Sequence, residues 1–255
     1  MTETLVRGVL DASGAGFSRF PPDPWCVILQ LCPWRREGGE VVATPIYLKR
    51  VLPDGPDSYP EARALAPLTV ITVRCRLDEQ AEVTRATLLS IELEATRDDE
   101  LERAAADLRR PVAIESAFLG TLTLERALGW FRGTRKVDGT SYEVNVVRSG
   151  ASEESDAADG VAAEALVKAL EPRLGALRLA TAEQLLELYN DTWREEEAAV
   201  ETAASFAARI VLASVTVHPE GGTFTLWFDD DDLFAGHSLE VCVRADGTVD
   251  ASLAG

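Results

Sequence analysis

Histidine and cysteine are scarce in this chain of 255 residues, which contains only 2 His and 4 Cys. The cysteines lie in apolar, alternating stretches, and no two of them have the C-x-x-C spacing of a zinc knuckle. A disulfide framework is not expected either, because such frameworks belong mainly to small secreted domains. We therefore expect buried free thiols at Cys26, Cys32, Cys75 and Cys242.

Long apolar runs are missing too. Nowhere does the chain reach the roughly 20 consecutive apolar residues that a membrane helix needs. The first ten residues, MTETLVRGVL, have neither the basic nor the apolar region of a secretory signal. We expect a cytoplasmic protein with no membrane partner.

Motifs for nucleophilic catalysis and phosphate binding are also absent. The sequence has neither a G-x-S-x-G motif nor a P-loop, and its glycine pairs stand in turn contexts. This disfavours the common hydrolases and P-loop proteins. No cofactor is expected.

Negative charge is present in excess and is unevenly distributed. The net charge is −18; residues 1–110 contain 14 Lys and Arg against 18 Asp and Glu, whereas residues 111–255 contain 11 against 25. Such an acidic second half repels nucleic acid and speeds the encounter with a basic partner. The same charge would also serve plain solubility.

The first part of the chain has the pattern of a small β-barrel. Five runs rich in β-branched and aromatic residues are separated by Gly, Pro and Asp turns, and a short helical stretch, YPEARALAP, follows the third run. Three strands, a helix and two strands is the order of an oligonucleotide-binding-type (OB-type) barrel. Residues 1–97 are therefore predicted to resemble that fold.

Some residues of this barrel are of the kind that binds single-stranded nucleic acid. They are Trp25, Trp34, Arg35, Arg36, Tyr47, Lys49, Arg50, Arg74 and Arg76. The domain is nevertheless net negative, so the electrostatic attraction that dominates such binding is missing. A nucleic-acid partner is not expected.

Residues 98–111 predict a helix between two domains. Asp98 is a suitable N-cap, acidic residues fill the first turn, and Arg109 and Arg110 close the last turn before Pro111. We expect this helix to connect the barrel to a second domain, residues 112–255.

The second domain shows strands, then helices, then strands. This order predicts an α+β domain with an antiparallel sheet and packed helices. The polar segment SGASEESDAADG, which starts at Ser149, is expected to be a mobile loop. A later helix is expected to start at Thr181, which forms a capping-box motif with Gln184.

Four consecutive aspartates near a histidine form the stretch that most suggests chemistry. They are Asp229, Asp230, Asp231 and Asp232, followed by His237. A metal-dependent hydrolase would need several such ligands around one ion, and Asp230, Asp232 and His237 are the candidates. Side chains of successive strand residues alternate, however, and the spacing of a calcium loop is absent.

The alternative is an exposed turn between two strands. In this interpretation Leu233 and Phe234 return to the core, and Gly236 adopts an unusual φ. The aspartates and His237, together with Asn190 and Asp191 on a helix, would then be candidates for contact with a partner. We favour this interpretation over the metal site.

Three sequence blocks carry a resemblance to a known family. They are FLGTLTLER with Trp130, LYNDTW at Leu188 to Trp193, and DDLFAGHSLEV. Residues 117–255 resemble an uncharacterised bacterial domain-of-unknown-function family with a closing D-L-F-x-G-H-S block. That family is similar in layout to small domains associated with immunity proteins of bacterial toxin systems, so the resemblance implies a partner-binding role.

Together these observations predict a non-catalytic, cytoplasmic, two-domain binding protein. Its acidic C-terminal domain would bind a basic protein, as an immunity protein binds a toxin. The alternative is a metal-dependent hydrolase that uses the loop from Asp229 to His237.

Overall fold

The computed structural model describes residues 3–78, 84–92, 97–137 and 139–254. The chain divides into two compact units. The first comprises Met1–Arg110 and the second begins at Pro111, apart from Arg126–Leu128, which group with the first. None of the described helices is long and apolar enough to cross a membrane.

The first unit is a closed five-stranded barrel. Its elements are β1 (Glu3–Leu10), β2 (Gly16–Ser18), β3 (Trp25–Arg36), β4 (Ile46–Leu52), α1 (Pro60–Arg63), β5 (Val70–Asp78) and β6 (Arg85–Glu92). The sheet order is β1-β5-β6-β4-β3-β2. Strand β1 also pairs with β3, which closes a ring of five strands and leaves β2 as a sixth strand attached to β3. Strands β4 and β6 are parallel. The predicted OB-type barrel is confirmed.

Several cations of the barrel that could have contacted nucleic acid are held by carboxylates. Arg74 pairs with Glu92, and Arg76 pairs with Glu3. Trp34 is buried, and its Nε1 donates to the carbonyl of Thr44 at 2.8 Å. These side chains therefore serve the barrel itself.

Helix α2 (Asp99–Arg109) has the N-cap that the sequence predicts. Asp98 accepts a hydrogen bond from the backbone of Leu101 at 3.2 Å. Leu101 and Ala105 are fully buried against Val9 of β1. The helix that follows the barrel thus also packs on it.

The second unit is an eight-stranded sheet with helices. Its elements are β7 (Ala113–Ser116), β8 (Gly120–Glu125), β9 (Trp130–Val137), β10 (Thr140–Val147), α3 (Glu153–Leu170), α4 (Leu174–Leu188), α5 (Ala203–Arg209), β11 (Val211–His218), β12 (Thr223–Asp229), β13 (Ser238–Val243) and β14 (Val249–Ala254). The sheet runs from β14 to β7 in reverse chain order. The predicted α+β domain is confirmed.

One strand pair departs from the antiparallel sheet that we predicted. Strands β10 and β11 are parallel. The helical segment between them is a crossover, which returns the chain to the end of the sheet where β10 began. The other pairings in the described sheet are antiparallel.

Two local predictions in the helical segment were wrong. The expected loop is largely helix, because Ser152 forms a capping box with Ser155 and α3 begins at Glu153. Thr181 does not cap a helix but lies buried within α4, where its hydroxyl donates to the carbonyl of Leu177 at 2.8 Å. An N-cap hydroxyl accepts a hydrogen bond from a backbone N–H at the start of a helix. A hydroxyl that instead donates to the carbonyl four residues earlier is typical of a helix interior.

All four cysteines are free, as predicted, but only Cys26 and Cys75 are buried. Cys242 is exposed because it lies on the face of the sheet away from the core, between the buried Val241 and Val243.

Candidate functional site

The aspartate run forms a tight turn after β12, held together by Asp230. This carboxylate is 3% exposed, and its Oδ1 and Oδ2 accept the backbone N–H groups of Asp232 at 3.2 Å and Phe234 at 2.6 Å. Positive φ values at Asp231, Asp232 and Ala235 bend the chain back. Asp230 therefore supplies the acceptors that the backbone of this turn would otherwise lack.

Phe234 anchors the turn in an aromatic cluster. Its fully buried ring meets Tyr189 and Trp193 edge-on, at centroid distances of 5.7 Å each, and Phe206 at 5.9 Å. The burial predicted for Phe234 is thus confirmed. His237 lies against Trp193 at 5.4 Å. The LYNDTW and DLFAGH blocks therefore pack against each other.

The helix widens where it meets this turn. Residues Tyr189–Trp193 form one turn of π-helix, which directs both aromatic ends of the block toward Phe234. Widened turns of this kind often occur at functional sites, and here the visible consequence is packing.

The remaining predicted site residues have separate surroundings. Asp231 pairs with Arg209 at 2.8 Å. Asn190 exchanges two hydrogen bonds of 3.0 Å with the backbone of Glu201. Asp191 is exposed, as are Asp229 and Asp232.

A metal centre does not form from the three candidate ligands. Both oxygens of Asp230 already accept backbone N–H groups, and the His237 ring packs on Trp193. Among the described residues, no group of three His, Cys, Asp or Glu side chains is placed to hold a metal ion. The described geometry therefore gives the hydrolase alternative no ligand set.

A different feature of this unit is suited to binding: the outer edge of β7. Strand β7 is the last in the sheet, and the carbonyl of Val112 accepts from Leu124 at 2.8 Å on its inner side. Since peptide groups of an antiparallel strand alternate in direction, those of Ala113 and Glu115 point outward. Within the described chain no strand pairs with this edge.

The opposite edge of the sheet is covered. On β14 the side-chain amide of Gln184 donates to the carbonyl of Val249 at 3.0 Å and accepts from the N–H of Ala251 at 2.9 Å. Gln184 thus satisfies the groups that a neighbouring strand would satisfy. Covered edges of this kind prevent unwanted pairing, and β7 is left as the free edge.

An acidic groove of about 580 Å³ runs between β7 and α3. Four carboxylates line it, and no basic residue does so among the described residues. They are Glu115, Glu153, Asp156 and Glu164. Val161, 74% exposed, adds an apolar side chain to the lining of the groove.

The carboxylates of the groove differ in how far they are neutralised. Asp156 is buried and forms a bidentate pair with Arg148 at 2.6 and 2.8 Å. Hydrogen bonds lower the pKa of the Glu164 carboxyl, and the one from Lys168 contributes more than the one from Ser116. Glu153 is exposed on the first turn of α3. The groove therefore keeps negative charge at neutral pH.

Sequence reasoning missed this groove for two reasons. Its acids come from a strand and from a helix 38 residues further along, counted from Glu115 to Glu153, so no local motif joins them. The segment that supplies Glu153 and Asp156 was also expected to be a loop. The strong charge of the second half was the one available signal.

Comparison with known proteins identifies a family for most of this unit. Residues 116–253 match the model of a family described as uncharacterized protein conserved in bacteria, DUF2262. No curated protein and no solved structure matches the chain.

Proposed function

The chain belongs to the DUF2262 family, and on this premise we propose that its C-terminal domain is a non-catalytic module that binds a basic protein partner in the bacterial cytoplasm. The partner would add an extended segment to the outer edge of β7. The observation that carries this proposal is the free edge at Ala113 and Glu115, flanked by the acidic groove.

Main-chain hydrogen bonds would supply much of the affinity. In strand addition, an extended peptide pairs with an exposed sheet edge, and alternate side chains determine specificity. Here one side of the added strand would face Val161 and Glu153 on α3, and the other would face Glu115. The partner segment should therefore alternate Lys or Arg with aliphatic residues.

The charge of the domain supports the same partner. Its net −14, from 11 basic and 25 acidic residues in residues 111–255, favours fast association with a cationic protein. A basic bacterial toxin would fit this chemistry, which makes an immunity-like role the specific form of the proposal. The exposed Asp191, Asp229 and Asp232 are candidate additional contacts.

The four free cysteines support the proposed location. Thiols without disulfides are typical of a reducing compartment such as the cytoplasm.

Calorimetric titration with a synthetic peptide tests the proposal. The probe is an extended peptide in which Lys alternates with Val, and its counterpart has Glu in place of Lys. The Lys peptide should bind the wild-type protein, and its affinity should fall at high salt. The Glu153→Lys substitution should lower that affinity as well. Glu183→Lys, on the exposed side of α4, is the matched control and should bind as wild type does.

Capture from the source bacterium extends the test to the natural partner. Wild-type protein should retain a basic protein at low salt and release it at high salt, and the Glu153→Lys variant should retain less. Equal binding of the Glu peptide, or a captured protein indifferent to salt and to Glu153→Lys, would contradict the proposal.

A further inference from the structure

The face of the eight-stranded sheet that lies opposite the helices contains a second, polar pocket. It has a volume of about 320 Å³ and lies over β9 to β13. Two indoles, three hydroxyls and one amide line most of it. They are Trp130, Trp227, Ser214, Thr216, Thr225 and Asn145.

Strand register explains how these side chains come together. Asn145 lies opposite Thr216 on β11, which lies opposite Thr225 on β12. The neighbours Val144 and Val146 are buried in the core, and because strand side chains alternate, Asn145 points to the other face. A row of polar side chains therefore crosses the open face.

Two buried polar atoms in this pocket have no hydrogen-bond partner among the described residues. They are Oδ1 of Asn145, a residue that is 5% exposed, and Nε1 of Trp130. Leaving such a group unsatisfied destabilises a fold, and native proteins rarely tolerate it without a reason. One atom is an acceptor and the other a donor, so a single molecule that both donates and accepts can satisfy the two together.

We propose that this pocket binds a neutral saccharide. Sugar hydroxyls donate and accept, which matches Asn145 Oδ1, Trp130 Nε1 and the row of hydroxyls. The apolar C–H face of a sugar ring can pack on an indole, and Trp227 offers one. Small pockets with an aromatic wall and a few placed polar groups are typical ligand sites.

Charge and hydrogen bonding separate a saccharide from other ligands. His218, whose Nε2 lies 3.5 Å from the hydroxyl oxygen of Thr225, and Glu240 complete the lining. The Glu240 carboxylate disfavours phosphorylated or acidic sugars. A small organic cation that carries no oxygen acceptor would suit Glu240 and the indoles, but it would leave Trp130 Nε1 without an acceptor. This site does not involve the edge of β7, so it is independent of partner docking.

NMR of the indole N–H groups in the full chain tests the proposal. The chain has 5 tryptophans, so the indole signals can be assigned by single substitutions. The probes are glucose, maltose, cellobiose and N-acetylglucosamine at millimolar concentration, with tetramethylammonium and guanidinium as cationic probes that carry no acceptor. At least one sugar should shift the signals of both Trp130 and Trp227, and the cations should not.

Variants separate a ligand role from a structural one. Trp227→Ala should weaken sugar binding about tenfold. Asn145→Leu should abolish the response and yet preserve or raise the stability of the free protein, since it removes an unsatisfied buried acceptor. Thr134→Ala, exposed on the same strand as Trp130, is the control and should bind as wild type does. Shifts with tetramethylammonium or guanidinium alone, shifts with no probe, or Asn145→Leu binding normally would each overturn the proposal.

Discussion

The carboxylate of Asp230 accepts the backbone N–H of Phe234 at 2.6 Å, and the Phe234 ring is fully buried. One acidic residue thus fixes the backbone that delivers an aromatic anchor to the core. The sequence alone does not distinguish Asp230 from the other three consecutive aspartates. In the fold it is the one of the four that is buried.

This relationship predicts that the four aspartates contribute unequally to stability. Asp230→Ala leaves two backbone N–H groups without their acceptor, so it should lower the free energy of unfolding by about 1–3 kcal/mol. Asp232→Asn keeps a side chain that tolerates the positive φ at this exposed position, so its effect should stay within about 0.5 kcal/mol. Urea denaturation measures both values. Equal effects would mean that Asp230 is only another surface charge.

Two helical glycines should respond in opposite directions to alanine. A Cβ on Gly160 of α3 would lie 2.5 Å from Cγ2 of Ile114 on β7, whereas a Cβ on Gly175 of α4 meets nothing within 4 Å. Gly160→Ala should therefore destabilise the domain by about 1–3 kcal/mol. Gly175→Ala should stabilise it by roughly 0.5 kcal/mol through helix propensity.

Thermal or urea unfolding of the two glycine variants measures the change in stability that each alanine causes. If Gly160→Ala stabilises as much as Gly175→Ala, α3 does not pack on β7 as closely as described, and the groove between them has a different shape.

The cover on the β14 edge gives a third prediction. Gln184→Ala exposes the carbonyl of Val249 and the N–H of Ala251, which Gln184 now binds. The Ala251 amide should exchange with solvent faster, and the loss of two hydrogen bonds should cost about 1–2 kcal/mol. The neighbouring exposed Glu183→Ala is the control. Unchanged exchange at Ala251 would show that Gln184 does not protect this edge.

A half-buried ion pair between Glu171 and Arg135 predicts part of the pH dependence. Burial of Glu171 would raise its pKa, but hydrogen bonds from Arg135 and Tyr142, at 2.8 Å each, outweigh burial, and the pKa lies below its ordinary value. A carboxyl with a lowered pKa in the folded state stabilises the fold above its unfolded pKa of about 4.3. This contribution is lost as the pH falls through the lower, folded pKa.

Glu171→Gln should therefore cost about 1.5 kcal/mol at neutral pH, with a difference from wild type that shrinks in acid. Denaturation at a series of pH values measures the difference, and the exposed Glu187→Gln serves as control. A difference that stays constant down to acidic pH would contradict the assigned role of the charge.

The sequence predicted those parts of the fold that depend on local patterns. The barrel, the helix after Asp98 and the α+β order of the second domain are all present. The pairing of strands that lie far apart in sequence was harder to predict. The parallel pairing of β10 with β11, for example, depends on the path of the whole helical crossover between them.

The sites were harder to predict than the fold. The four aspartates from Asp229 suggested a site because they are adjacent in sequence. In the structure, however, Asp230 accepts backbone hydrogen bonds and Asp231 forms an ion pair with Arg209. The acids of the groove, such as Glu115 and Glu153, become neighbours only when α3 packs beside β7. Charge clusters formed by tertiary contacts leave no local signature.

Hydrogen exchange at the β7 edge tests the docking account most directly. The outward N–H groups of Ala113 and Glu115 should exchange quickly in the free protein and become protected when the Lys-Val peptide or the captured basic partner binds. The amide of Ala251, covered by Gln184, should not change. Protection confined to Ala113 and Glu115 is the predicted result; binding that leaves both amides unprotected would contradict strand addition at this edge.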